Sequence, residues 1–165
     1  MPISARGSTG YGTYLVTTSS WGKRPLFQTD RMARLLIDVL LHYRTAHKYA
    51  LHEFVVMPDH FHIMVTPAET LERCIQLIKG GFSFRVKKEL GFTAEVWQTS
   101  FHDRRVRDAL EYNRFRQYIH ENPVRRGLCD EPSAFPWSSA NGMFTLDGVP
   151  QRLKPQNLSA PLPQA

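Results

Sequence analysis

Two apolar stretches, 49–57 (YALHEFVVM) and 60–66 (HFHIMVT), are separated only by Pro58-Asp59. No other feature of the chain constrains its fold as much. Short runs rich in β-branched and aromatic residues read as strands. A two-residue connection made of Pro and Asp lets two such runs pair only as an antiparallel hairpin. Around the hairpin, the pattern predicts a first strand over 11–18 (YGTYLVTT) and a helix over 30–46. In that helix Met32, Leu35, Leu36, Val39, Leu40 and Tyr43 recur at helical spacing. A long amphipathic helix is predicted over 70–90, with Leu71, Ile75, Ile78, Phe82 and Val86 inward. Gly80-Gly81 weakens its middle, and Gly91 stops it. A fourth strand is expected over 100–107. Asp108, with Glu111 three residues on, then opens a last helix in a capping-box pattern. That helix is expected to end by Asn122, because Pro123 disfavours helical backbone in the residue before it. The order strand, helix, hairpin, helix, strand, helix predicts an α+β fold of ferredoxin-like type, a central antiparallel sheet with helices laid on it.

The 165 residues suit one compact domain over 11–149. The polar, glycine-containing stretch 1–10 reads as disordered, and the Pro-, Gln- and Ser-rich stretch 150–165 reads as a flexible tail. Absence of a membrane-length apolar run and of a signal-peptide core points to a cytoplasmic protein, which a DNA-binding role would associate with the nucleoid. Cys74 and Cys129 lie far apart, which argues against a disulfide scaffold or a zinc knuckle. The formal net charge of +6 is concentrated. Between Arg73 and Arg126 there are 12 Lys and Arg against 6 Asp and Glu, whereas the rest of the chain is balanced. Such a segment is either a solvated basic helix or a phosphate-facing surface. On the second reading Lys79, Arg85, Lys87, Lys88, Arg104, Arg105, Arg125 and Arg126 would contact DNA. The stretch from Trp97-Gln98 to Arg105 adds aromatic side chains suited to stacking on unpaired bases.

Two constellations could carry chemistry. Side chains alternate along a strand, so His60 and His62 point the same way while Phe61, Ile63 and Val65 enter a core. Two imidazoles side by side can share a divalent metal, or merely line an exposed sheet face. Tyr118 and Asn122 are four residues apart and stack on one helix face, one as a phenol, the other as a hard carbonyl ligand. Alternatively, Tyr118 packs and Asn122 caps. Tyrosine phenols are protonated at neutral pH, so nucleophilic attack needs help, which a metal on a phosphate oxygen can supply. A closed zinc site would want thiolates, and neither cysteine is near.

Taken in order, the motifs Lys23-Arg24-Pro25-Leu26-Phe27, Met57-Pro58-Asp59-His60-Phe61-His62, Val96-Trp97-Gln98 and Phe101-His102-Asp103 resemble one bacterial family. The blocks from Tyr118 to Arg125 (YIHENPVR) and Pro136-Trp137-Ser138-Ser139 extend the likeness, which spans about 14–140. These residues resemble the REP-associated tyrosine transposases, a branch of the single-tyrosine HUH-endonuclease transposases. The resemblance implies that His60 and His62 bind Mg²⁺ or Mn²⁺, that Tyr118 is the nucleophile and that Asn122 is a further metal ligand. It also implies a substrate of single-stranded DNA carrying hairpins from repetitive palindromes, cut through a 5′-phosphotyrosine, with no small-molecule substrate. Arg104 stands where some relatives carry histidine. A non-catalytic binder of hairpin DNA or structured RNA is the alternative. Hydrolysis by an activated water is a third, and no oligomeric state follows from the sequence.

Overall fold

The computed structural model describes residues 12–153. The elements run β1 (Tyr14–Ser19), α1 (Asp30–Thr45), β2 (Tyr49–Val56), β3 (His60–Pro67), α2 (Leu71–Leu90), β4 (His102–Arg105) and α3 (Ala109–Arg125). The four strands form one antiparallel sheet in the order β2-β3-β1-β4. This is the ferredoxin-like arrangement expected. The turn between β2 and β3 is closed by the Met57 N–H donating to the His60 carbonyl at 2.8 Å. The segment after β1 pins it from outside: Ser20 N–H donates to the Asp59 carbonyl and Phe27 N–H to the Pro58 carbonyl.

Both faces of the sheet are covered. On one face α1 and α2 pack on Val16, Phe54, Val56, Phe61, Ile63 and Val65 to build the larger core. Thr29 and Thr70 cap the two helices through their hydroxyls, and Gly91 ends α2 in the left-handed conformation at φ 65. Gly80-Gly81 does not interrupt α2. A Cβ on Gly81 would come within 2.8 Å of the Tyr43 ring, so the glycine lets α1 and α2 approach closely. On the other face α3 lays Tyr112, Phe115 and Ile119 against Leu15, Val55, Met57 and Met64, the smaller core.

Three expectations are corrected. Helix α3 does not end at Asn122 but runs through Pro123 to Arg125. Proline forfeits only its own N–H, and the last turn closes by Arg126 N–H donating to the Asn122 carbonyl and Leu128 N–H to that of Pro123. The tail does not begin at 150, because Leu153 is buried in the smaller core and Arg152 donates to Thr13. The stretches 1–10 and 154–165 called disordered or flexible lie outside the described residues. Trp97, read as a base-stacking residue, belongs to the larger core, packed on Phe27, Phe61 and Phe82. Among the described residues no helix is long and apolar enough to cross a membrane.

A bulge in β2 prepares the site. Leu51 pairs with Val65 and Glu53 with Met64, which leaves His52 as an extra residue. His52 and Glu53 therefore both turn toward α3, where His52 meets the ring of Tyr112. Glu53 accepts from His120 Nε2 at 2.8 Å, from Arg116 Nε at 3.1 Å and from the Ser139 hydroxyl. These bonds tie the middle of α3 to the sheet. Burial raises the Glu53 pKa, but hydrogen bonds from His120 and Ser139 and the charge of Arg116 more than offset it, so the carboxyl lies below its usual 4.5. A depressed folded pKa stabilises above the unfolded value and loses that contribution as pH falls through the folded one. Glu53→Gln should thus lower stability at neutral pH by about 2–3 kcal/mol, the scale of charge-assisted hydrogen bonds. The gap from the unmodified protein should narrow below pH 4.5. Denaturant titrations at pH 7 and pH 3.5 check it, and an equal gap at both would mean that Glu53 acts without its charge.

Candidate metal and nucleophile site

The histidine pair of β3 lies on the α3 side of the sheet, away from the larger core as alternation requires. It is not exposed, however: α3 covers both imidazoles, leaving His60 7% and His62 3% accessible. Each ring is held from behind. Asp59 Oδ1 lies 2.6 Å from His60 Nδ1, and Thr17 Oγ1 lies 2.7 Å from His62 Nδ1. With both Nδ1–H groups donating to these oxygens, both Nε2 lone pairs face forward. They face one another at 3.2 Å.

That arrangement suits a shared cation. Two nitrogens about 2.1 Å from one ion, at tetrahedral or octahedral angles, lie about 3.0–3.4 Å apart. The Asn122 amide reaches the same point, its Nδ2 being 3.3 Å from His62 Nε2. Its Oδ1 is buried without a hydrogen-bond partner. Turning the amide over would place that oxygen beside His62 Nε2, a change of assignment only. Among the described residues no group of three or more His, Cys, Asp and Glu could hold a metal. The groups that could hold an ion here are therefore two imidazoles and an amide. Burial, then His60 and Arg126, push the His62 pKa down to about 3. Burial also lowers that of His60, against the opposing pull of Asp59. Neutral imidazoles are the form that binds metals.

Tyr118 lies one turn before Asn122 on α3, but at the rim. It is 37% exposed, whereas Asn122 is 7% exposed. Its ring centroid is 5.2 Å from that of His62, and the Arg125 guanidinium, held also by Glu121, lies 5.8 Å from the centroid of the Tyr118 ring. Arg126 is near enough to act on both imidazoles. Arg104 reaches this face too, stacked 5.1 Å over Phe115. Arg105 pairs across the sheet with Tyr14 and is exposed.

The α2 cations are elsewhere. Lys79, Arg85, Lys87 and Lys88 belong to the helix on the opposite face of the sheet. Lys79 donates to the carbonyls of Gln98 and Ser100, and Arg85 pairs with Glu89. The basic segment is split by the sheet, so four of the eight proposed DNA contacts are not brought to the site. Sequence reasoning also passed over Asp59 and Thr17. Asp59 was visible as the residue before His60, whereas Thr17 becomes its neighbour's partner only through the β1–β3 register, which pairs Thr17 with His62.

Comparison with known proteins finds relatives of the whole fold. The family model described as "Transposase IS200 like" matches residues 13–122. A REP-associated tyrosine transposase of Escherichia coli K12 is 24% identical over 150 residues, covering 82% of this chain and 84% of the relative. A Haemophilus influenzae protein of similar designation is 24% identical over 129 residues, covering 67% and 73%. Among solved structures, that of a REP-associated tyrosine transposase bound to a REP hairpin superposes with a TM-score of 0.70 at 22% identity, over 91% of this chain and 92% of the other. A transposase structure from Deinococcus radiodurans R1 superposes at 0.50 and 23% identity, over 72% and 95%.

Thr17→Val should weaken Mn²⁺ binding about 10–100-fold, the usual effect of removing a histidine's outer partner. Asn122→Ala should weaken it as well, while Asn122→Asp should retain or tighten it by supplying a charged oxygen at the same reach. Calorimetric Mn²⁺ titration of the three variants checks this, and affinities equal to the unmodified protein in all of them would remove Asn122 and Thr17 from the site.

Proposed function

The chain belongs to the IS200-like transposase family, and from that premise we propose that it cuts and rejoins single-stranded DNA beside palindromic hairpins through an ester between Tyr118 and a 5′-phosphate. The observation that carries this reading is the convergence of His60 Nε2, His62 Nε2 and the Asn122 amide beneath the ring of Tyr118. Hairpin DNA as the partner is supported by the REP hairpin held by the superposable relative.

His60, His62 and Asn122 would hold Mg²⁺ or Mn²⁺. When bound, such an ion neutralises charge that develops on a non-bridging phosphate oxygen. The remaining work falls to the chain itself. Thr17 and Asp59 fix the imidazoles by their Nδ1 atoms, so the ligands need no reorganisation. Arg125 and Arg126 add positive potential where the phosphate must lie, and Arg125 restrains the tyrosine ring. The Tyr118 oxygen attacks phosphorus as its proton leaves to solvent at the open rim. The bond from phosphorus to the 3′-oxygen breaks, and that oxygen takes up a proton. The ester keeps the bond energy, so a second 3′-hydroxyl can reverse the step and join a new strand.

Incubation with hairpin-bearing single-stranded DNA and Mn²⁺, resolved on a denaturing gel, is the test. The unmodified protein should leave a covalent adduct, and Tyr118→Phe should leave none while binding the hairpin about as well. Cleavage without adduct would point instead to hydrolysis by water, and binding without cleavage to a non-catalytic binder.

The same reading predicts how salt acts. Neutralising Arg125 and Arg126 together should reduce the slope of log affinity against log salt by about 2, one for each lost phosphate contact. Neutralising Lys87 and Lys88, on the far face of the sheet, should leave the slope unchanged. Anisotropy titrations between about 50 and 200 mM salt measure it. A slope that follows Lys87 and Lys88 instead would put the DNA on the α1–α2 face.

A further inference from the structure

Beside Tyr118, between β1, β4 and α3, lies a half-open cavity of about 360 Å³. Its size falls within the range of small-ligand sites, about 300–1,000 Å³. Leu15 and Phe115 make an apolar floor, His102 and Arg104 line the β4 side, and Arg114 and Tyr118, one helical turn apart, line the α3 side. It also touches Thr17, the residue behind the His62 ring, so the cavity adjoins both Tyr118 and the back of the histidine site. We propose that this cavity takes one unpaired nucleobase of the DNA strand as it crosses the site, stacked on the Arg104 guanidinium.

The chemistry of the walls selects a base over a bare phosphate. The Arg104 guanidinium lies 5.1 Å from the centroid of Phe115, which supports the cation from the floor side. A planar cation backed by a ring offers its other face to a flat partner, and every base has a π-face. The apolar floor of Leu15 and Phe115 has nothing to offer a phosphate. Arg104 and Arg114 are exposed, so their substitution spares the core.

The role also places the strand. A base held here anchors one nucleotide next to Tyr118 and draws the neighbouring phosphate toward the phenol and the histidine pair. Arg104 would then act by positioning the strand, not on the reacting atoms.

This inference rests on the reading of the chain as a single-stranded DNA enzyme, but its test does not require cleavage. A single abasic nucleotide is moved, one position at a time, along the strand flanking a palindromic hairpin, and binding to the Tyr118→Phe protein is followed by anisotropy. At one position, loss of the base should weaken binding about tenfold, within the range for one base–aromatic or base–guanidinium stack. In the Arg104→Lys background, which keeps the charge and loses the plane, that penalty should vanish. Arg114→Ala, tested alongside, should reduce it. An abasic nucleotide without effect at every position, or a penalty undiminished in Arg104→Lys and Arg114→Ala, would overturn the proposal. Base-dependent binding by a protein that forms no covalent adduct would leave the cavity assignment standing and bring down the strand-transfer reading instead.

Discussion

Strand β3 is an inner strand covered on both faces, and the site depends on that. Phe61, Ile63 and Val65 are fully buried under α1 and α2, and each is worth roughly 1.5–3 kcal/mol of burial. Commitment of those three to one core leaves His60, His62 and Met64 no choice but the other face. A register slip of one residue would exchange the two sets and bury imidazoles among phenylalanines. The larger core therefore enforces the direction of the histidines although it contains none of them. The contacts of Ser20 and Phe27 with the Pro58-Asp59 turn hold the end of the strand where Asp59 meets His60.

The second face is closed by α3, which brings its own requirements. Tyr112, Phe115 and Ile119 supply apolar contact with the sheet, and the Glu53 cluster fixes the helix by charge and hydrogen bonds. Between them the helix presents two groups one turn apart to different surroundings. Asn122 is carried inside, to the imidazoles, with an amide oxygen lacking a partner. Tyr118 stays at the rim, open to solvent. An uncompensated buried polar atom is costly to a fold, and under the proposed function a bound ion would offset that cost at Asn122.

Much of the architecture was readable before any coordinates. The hairpin, the helical spacing of Leu71, Ile75 and Ile78, the Asp108 cap and the Gly91 stop are local patterns, and local patterns survive into the fold. The candidate residues His60, His62, Tyr118 and Asn122 were readable for the same reason, two by strand alternation and two by helical spacing. What the sequence did not show was mostly nonlocal. Trp97 looked like an exposed aromatic because nothing near it in sequence shows Phe27, Phe61 and Phe82 closing around it. Lys79, Arg85, Lys87 and Lys88 looked continuous with Arg104 and Arg126 because charge counts along the chain do not register the sheet between them. Pro123 looked like a helix end because its local cost is real, but buried packing of the last turn outweighs it.

By itself, then, the sequence determined the order of elements, the inward faces of the helices, the common direction of the two histidines and the common face of Tyr118 and Asn122. Each of these follows from a period of about 2 or 3.6 residues, which chain geometry imposes wherever the element forms. Only the tertiary structure decided that the histidines are covered, that Thr17 holds one of them, that the β2 bulge turns Glu53 toward α3, and that the basic residues fall on opposite sides of a sheet. Those outcomes depend on strand register and on which helix packs on which face. Both are set by contacts between residues far apart in the chain, and no short pattern encodes them.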